Sequence, residues 1–185
     1  MPNETIKLTG EWTGYTLSPD IKENDPVVAR LRAISRGQVD HPEAEKVIRD
    51  LANNKVILRI AEQHNLVPTT GRNALARVLT GDNTYGAEVN YIALGTGTAA
   101  AALANTTLGT ETYRKIVSSA AHDNAIAYID VFIASADVAD ATYKEAGAFI
   151  SGTGSANSGY LFSRVVQDFV KSGSMFISLK VTISQ

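Results

Sequence analysis

The sequence of 185 residues contains no cysteine. A disulfide framework and a thiolate metal site are therefore excluded, whereas the compartment stays open because a chain without thiols is indifferent to redox conditions. No apolar run approaches the ~18 residues that a membrane span needs, and the start MPNETIKLTGEW has no basic segment before an apolar one. We expect a soluble protein, made in the cytoplasm, that does not contact a membrane.

An excess of charge of either sign is also missing. The formal net charge is −2, so the chain has no bulk attraction to nucleic acid, and we predict no nucleic-acid partner. With 44% hydrophobic and 19% charged residues, the chain is long enough for one well-buried core, or for a core domain with an arm.

Catalytic and metal-binding motifs are absent from the sequence. His41, His64 and His122 lie in unrelated contexts without ligand spacing, and no G-x-S-x-G elbow, H-E-x-x-H motif or EF-hand loop occurs. An enzyme is not excluded, but nothing calls for one. We predict a protein that is not an enzyme, with no catalytic residue, no metal and no cofactor, and we expect no small-molecule ligand.

One motif fits the glycine pattern of a dinucleotide-binding site. Residues 95–100, GTGTAA, follow an apolar run and fit the G-x-G-x-x-A fingerprint. That fingerprint also needs a helix opening at the loop and an acidic residue about 20 positions beyond the glycines, at the end of a parallel strand. The next apolar run instead ends in Ser118 and Ser119. We therefore expect Gly95 and Gly97 to serve the turn after the strand, and not a phosphate.

The front of the chain is predicted to be helical. Asp25 with Pro26 marks the start of a helix that ends at Gly37. Pro42 marks a second start, before apolar residues spaced by threes and fours up to Ala61. The Asn53-Asn54 pair leaves open whether this is one helix or two. A further helix is predicted after Pro68, ending before Gly81.

The back of the chain is predicted to be β-structure. Residues 88–117 read as strand, long loop and strand, and residues 126–133, 143–150 and 160–166 are further strands. From Met175 to Ser184 apolar residues alternate with mostly polar ones, which predicts a strand with one face in the core. Five or six strands with short connections favour an antiparallel sandwich or a barrel-like domain.

Residues 1–24 combine Gly and Pro turn formers with the only tryptophan, Trp12. Such a segment has no helical stripe, so we predict an extended arm that docks on a neighbouring subunit, with a frayed terminus as the alternative. The predicted interface residues are Ile6, Trp12, Tyr15 and Leu17.

From about residue 65 onward the chain resembles a family of tailed-bacteriophage virion proteins, commonly labelled tail fibre or structural proteins. The elements that carry the resemblance are GRNALARVL, YIALGTGTA, TTLGTETYRK, KEAGAFI, YLFSRV and the alternating final strand, in that order. YIALGTG and TLGTETYRK are the specific ones. The resemblance covers about two thirds of the chain and leaves residues 1–40 unmatched.

The resemblance implies a non-enzymatic, β-rich module that assembles into a symmetric trimer or ring on the virion. We therefore expect an α+β fold in which a short helical N-terminal region precedes an antiparallel β-sandwich. The expected parts are an extended arm (1–24), a helical region (25–82) and a β-sandwich domain (83–185).

The expected function is that of a virion structural protein of the tail, baseplate or fibre-attachment apparatus, assembled in the host cytoplasm, with other virion proteins as partners. The alternatives are a capsid decoration or head-fibre protein and a carbohydrate-binding receptor module.

Overall fold

A computed structural model describes residues 6–82 and 84–184. These residues form three α-helices and nine β-strands, in the order β1 (Lys7–Leu17), α1 (Pro26–Ser35), α2 (His41–Asn53), β2 (Ile57–His64), α3 (Thr69–Leu79), β3 (Val89–Gly95), β4 (Glu111–Ile116), β5 (Ser119–Asp123), β6 (Ile126–Ile133), β7 (Ala141–Ile150), β8 (Tyr160–Lys171) and β9 (Ser174–Ser184).

The strands form two antiparallel sheets. Sheet A has the order β2-β1-β9-β6-β5, and sheet B has the order β4-β3-β7-β8. The main core lies between them, because side chains such as Val131 and Leu179 of sheet A pack against Ile92 and Ala146 of sheet B. This arrangement confirms the predicted α+β class with an antiparallel sandwich.

Helices α1 and α2 begin where the sequence predicts. The Asp25 carboxylate accepts a hydrogen bond from the Val27 amide at 2.8 Å, and the Asp40 carboxylate accepts one from the Glu43 amide at 2.9 Å. Each side chain thus satisfies one of the amides that a helix start leaves unpaired. None of the helices within the described residues is long and apolar enough to cross a membrane.

Helix α1 covers the outer face of sheet A. Its buried Val28 and Leu31 pack with Phe132 and Phe176, which point away from the main core. Beside this apolar contact, the buried Asp130 of β6 accepts hydrogen bonds from Arg32 at 2.9 Å and Arg36 at 3.2 Å. The helix is therefore held to the sheet by both apolar packing and a charged triad.

The second predicted helix ends earlier than expected. Residues 57–64 form strand β2, which pairs with β1, so the helical region predicted for 25–82 is interrupted by a strand. Lys55 adopts a left-handed conformation, with φ of 57°, and separates the two elements. Spacings of three and four in this segment fit a helix, but partnership with β1 decides the structure.

The prediction of a docking arm at residues 1–24 is wrong for β1. This strand pairs with β2 on one side and β9 on the other, so it is an inner strand of sheet A. Trp12 and Leu17 are fully buried and Tyr15 nearly so, all within the chain's own cores. The boundaries at 24 and 82 therefore do not separate structural units, because β1 and β2 share a sheet with β9.

The environment of Trp12 explains why this segment belongs to the chain's own core. Trp12 lies between the sheets, where its Nε1 donates a hydrogen bond to Ser163 Oγ at 2.9 Å, so both the ring and its polar group are satisfied internally. Of the four predicted interface residues only Ile6 remains on the surface, with 75% of it exposed. Met1 to Thr5, which the predicted arm also includes, lie outside the described residues.

The last strand follows its predicted parity on the inner face. Met175, Ile177, Leu179 and Val181 are buried in the main core, whereas the exposed Ile183 lies at the end of the strand. The other face is covered too, because helix α1 packs over Phe176. A sheet sandwiched between helices and a second sheet needs apolar residues on both faces.

Because β1 is an inner strand, we expect a chain that begins at Asn24 to lose cooperative folding. Removal of β1 deprives β2 of the only strand with which it pairs among the described residues, and it leaves one edge of β9 unpaired. Thermal unfolding followed by circular dichroism should show no sharp transition. A chain that begins at Ile6 retains all of β1 and serves as the matched control. A sharp transition in both chains would instead support an arm that is separable from the fold.

Candidate functional site

The loop at residues 96–110 covers the outer face of sheet B. Leu108 from this loop is buried against Ala93, Phe149 and Leu161 of the sheet. The loop also contacts the start of α3, where the Thr69 amide donates to the Leu103 carbonyl at 2.9 Å. The glycine-rich stretch singled out in the sequence is therefore a cover over the sheet.

A buried carboxylate organises both ends of this loop. Glu145 of β7 is fully buried, and its Oε1 accepts hydrogen bonds from the Gly97 amide at 2.9 Å and the Thr110 amide at 2.8 Å. Its Oε2 accepts from the Gly109 amide at 3.0 Å. One side chain thus draws together the residues that follow β3 and those that precede β4.

A buried guanidinium completes the arrangement. Arg164 of β8, which is 2% exposed, donates from Nε to Glu145 Oε2 at 2.9 Å. Its terminal nitrogens donate to the Ala99 carbonyl at 3.0 Å and to Asn105 Oδ1 at 2.8 Å. We call Glu145, Arg164 and the loop groups that bind them the loop clamp.

Burial and hydrogen bonding act in opposite directions on Glu145. Burial by itself raises the pKa of the carboxyl group, whereas the amides of Thr110 and Gly109 and the Arg164 guanidinium lower it, and their combined effect holds the pKa of Glu145 below its usual value. The carboxylate is therefore ionised at neutral pH.

The two predicted turn glycines permit close backbone approach to this carboxylate. A β-carbon on Gly95 would lie 2.6 Å from Glu145 Oε1, and one on Gly97 would collide with the same oxygen and lie 3.0 Å from the Gly109 Cα. Gly97 presents its amide to an anion, as in a phosphate-binding loop, but the anion is a side chain of the same protein.

A second charged group holds the loop at residues 151–159. Arg114 of β4 pairs with Glu111 and donates from Nη1 to the Thr153 carbonyl at 2.9 Å and Ser158 Oγ at 2.7 Å. Its guanidinium also lies 4.7 Å from the centroid of the Phe149 ring, a cation–π contact. Arg114 and Glu111 both come from the TLGTETYRK element.

An aromatic pair, the exposed Tyr85 and the partly buried Tyr160, lies beside α3. The rings of Tyr85 and Tyr160 meet edge to face at 4.7 Å, and the Arg77 guanidinium lies 4.4 Å from the centroid of Tyr85. Arg77 also donates to Asp82 at 2.8 Å. This surface cluster brings together residues that are 83 positions apart at most, and the sequence alone did not identify it.

The structure does not gather the residues singled out from the sequence into one site. Trp12, Tyr15 and Leu17 belong to cores, Ile6 is exposed, and Gly95 and Gly97 belong to the loop clamp. Within residues 6–82 and 84–184, no three His, Asp or Glu side chains are placed to hold a metal ion.

The loop clamp was missed although its residues lie in the elements quoted for the resemblance. Glu145 belongs to KEAGAFI and Arg164 to YLFSRV, and each is a charged residue within a mostly apolar segment. An acidic and a basic residue in two such segments were the signal available in the sequence, because a charge among apolar residues is rarely buried without a partner.

The chain was compared with protein-family models, with curated proteins and with solved structures, and none of the three comparisons found a match.

Replacement of Glu145 by Gln should destabilise the fold by about 3–5 kcal/mol, because it leaves the Arg164 guanidinium buried without its counter-charge. Lys144→Gln is the matched control, since the neighbouring side chain makes only a surface pair with Asp168 and should cost under about 1 kcal/mol. Urea unfolding at neutral pH measures both changes, and equal losses would contradict the assignment of the clamp.

The pH dependence of the same variants supplies a second test. The folded pKa of Glu145 lies below that of an unfolded glutamate, about 4.3, so the stability it contributes is present above that pH and is lost as pH falls through the folded pKa. The difference in unfolding free energy between wild type and Glu145→Gln should therefore stay constant from about pH 7 to about pH 5 and shrink as the pH falls below about 4.3. The smaller Lys144→Gln difference should remain small.

Replacement of Gly97 by Ala should destabilise the protein by about 1–3 kcal/mol, because the added methyl group displaces the Glu145 carboxylate or the Gly109 backbone. Gly154→Ala adds a methyl group where no atom lies within 4 Å and is the matched control. Urea unfolding should separate the two variants, and a Gly97 variant as stable as the control would contradict the close approach.

Proposed function

We propose that the chain is a structural protein of a tailed-bacteriophage virion, a component of the tail, baseplate or fibre-attachment apparatus. It acts through symmetric self-assembly and through contacts with other virion proteins, and it is assembled in the host cytoplasm. The observation that carries this proposal is the loop clamp, which joins four of the elements on which the resemblance rests.

The clamp links these elements residue by residue. Gly97 comes from YIALGTGTA, Gly109 and Thr110 from TTLGTETYRK, Glu145 from KEAGAFI and Arg164 from YLFSRV, and hydrogen bonds connect all five. Segments that are up to 67 residues apart thus cooperate in one arrangement. This supports the interpretation that the chain and the family it resembles share one scaffold.

The chemistry of the clamp suits a scaffold better than catalysis. Both carboxylate oxygens of Glu145 accept two hydrogen bonds each, and the opposing guanidinium is almost fully buried. A carboxylate so well satisfied has little capacity left to bind a substrate or to move a proton. Its contribution is a fixed loop on the surface of a rigid sandwich.

Two alternatives remain, one within the same class of function and one from a different class. A capsid decoration or head-fibre protein would use the same scaffold. A carbohydrate-binding receptor module is favoured by one observation, the exposed Tyr85 ring beside the partly buried Tyr160 ring with Asp82 nearby. However, Arg77 covers one face of Tyr85 at 4.4 Å, the surface on which a sugar ring would stack. The structural function is therefore the better supported.

The test is to ask whether the protein belongs to intact particles. Particles purified by density gradient should contain the chain in a fixed copy number, measured by quantitative mass spectrometry against a known capsid protein. The purified protein should form oligomers in sedimentation velocity. A protein found only in the soluble lysate, with no copies in intact particles, would contradict the proposal.

A further inference from the structure

A cavity opens between the two sheets at one end of the sandwich. Its volume is about 470 Å³, and it lies where β1 and β6 begin and β9 ends. The lining is almost wholly apolar and includes Leu8, Leu75, Ile126, Phe162 and Val181. An apolar cavity open to solvent leaves unfavourable contact with water, which another surface can remove.

Exposed apolar side chains line this cavity or lie close in sequence to residues that line it. Ile6 precedes Leu8 by two residues and is 75% exposed, while Ile183 lines the mouth and is 48% exposed. Leu79, which is 87% exposed, lies one helical turn beyond Leu75 on the same side of α3. We call Ile6, Leu79 and Ile183, together with the cavity, the apolar end.

We propose that the apolar end is the surface through which a second copy of this chain docks, in a two-fold symmetric contact. The proposal deepens the proposed function, because it rests on the self-assembly assumed there, and it replaces the trimer or ring that the resemblance implies with a two-fold contact. A two-fold contact requires that one surface carry both parts of the fit. The apolar end carries both parts. Ile6 and Leu79 are the exposed side chains, and the cavity is large enough to hold such side chains from a second copy.

The charges around the apolar end favour the same occupant. Lys7 is exposed on one side of the cavity, next to Ile6, whereas Glu88 and Asp123 are exposed on the other side. Glu88 lines the cavity, and Asp123 is next to Asn124, which also lines it. A two-fold rotation brings the cationic side of one copy towards the anionic side of the other, which is complementary.

A small apolar molecule is a poorer match. Binding sites for small molecules combine apolar walls with a few convergent polar groups that fix the orientation of the ligand. Here the polar side chains of the lining are Glu88, His122 and Asn124, and all three are exposed. In contrast, strand β5 borders the cavity as an edge strand of sheet A, so a protein partner finds backbone donors and acceptors there.

The test compares three variants of the full chain. Ile183→Glu and Leu79→Glu each place a charge in the apolar end. Leu58→Glu is the matched control, because Leu58 is 47% exposed on β2, beside the opposite end of β1. All three positions are exposed, so the variants should fold, and circular dichroism melts check this.

Sedimentation velocity over a range of concentrations gives the outcome. We expect the wild-type protein to form a dimer or another even-numbered assembly. In Ile183→Glu and Leu79→Glu the assembly should fall to half its mass, with self-association weakened at least about tenfold, while Leu58→Glu behaves as wild type.

Two results would overturn the inference and leave the proposed function standing. The first is an oligomer that keeps its mass in Ile183→Glu and Leu79→Glu, because self-assembly would then use another surface. The second is a wild-type monomer at every concentration that is nevertheless present in intact particles, which keeps the role in the virion and removes its self-assembly. Absence of the protein from particles, with a dimer that the two variants dissociate, would contradict the function and keep the interface.

Discussion

The structure depends on one costly arrangement, a carboxylate and a guanidinium buried beneath a surface loop. Removing two charges from water costs several kcal/mol per ion, so the pair persists only if the remaining hydrogen-bonding capacity of both groups is satisfied. The loop at 96–110 satisfies it with the amides of Gly97, Gly109 and Thr110 and with carbonyl groups for Arg164. The loop needs the ion pair for its shape, and the ion pair needs the loop for its hydrogen bonds.

Local signals in the sequence predicted the elements that local chemistry determines. The start of α1 at Asp25 and Pro26 follows from a side-chain cap and a proline with a preset φ, and both act within a few residues. In the strand from Met175 to Ser184, apolar and mostly polar residues alternate so regularly that the pattern predicts which side chains face the core. The antiparallel sandwich was predicted from several such strands with short connections between them.

Other features depend on partners far along the chain, and local patterns misjudged them. Residues 57–64 satisfy a helical spacing, yet they form a strand because β1 offers an unpaired edge. Residues 7–17 have too many turn formers to resemble a core strand, but Gly10 and Gly14 lie where side chains of Asn65 and Phe169 approach the backbone. The loop clamp was unpredicted for the same reason, since Glu145 and Arg164 meet only after β7 and β8 pair.

The pairing of the first described strand with the last has a consequence for synthesis of the protein. Lys7 lies opposite Ser184, so β1 cannot gain its second neighbour until the ribosome has made β9. At about 5–20 residues per second, the interval between Leu17 and Ser184 lasts roughly ten to thirty seconds. During that time the most apolar part of β1, including Trp12, has only β2 beside it. The nascent chain therefore depends on slow, long-range closure of sheet A, which leaves a strand edge unpaired, and open to pairing with another chain, until β9 is made.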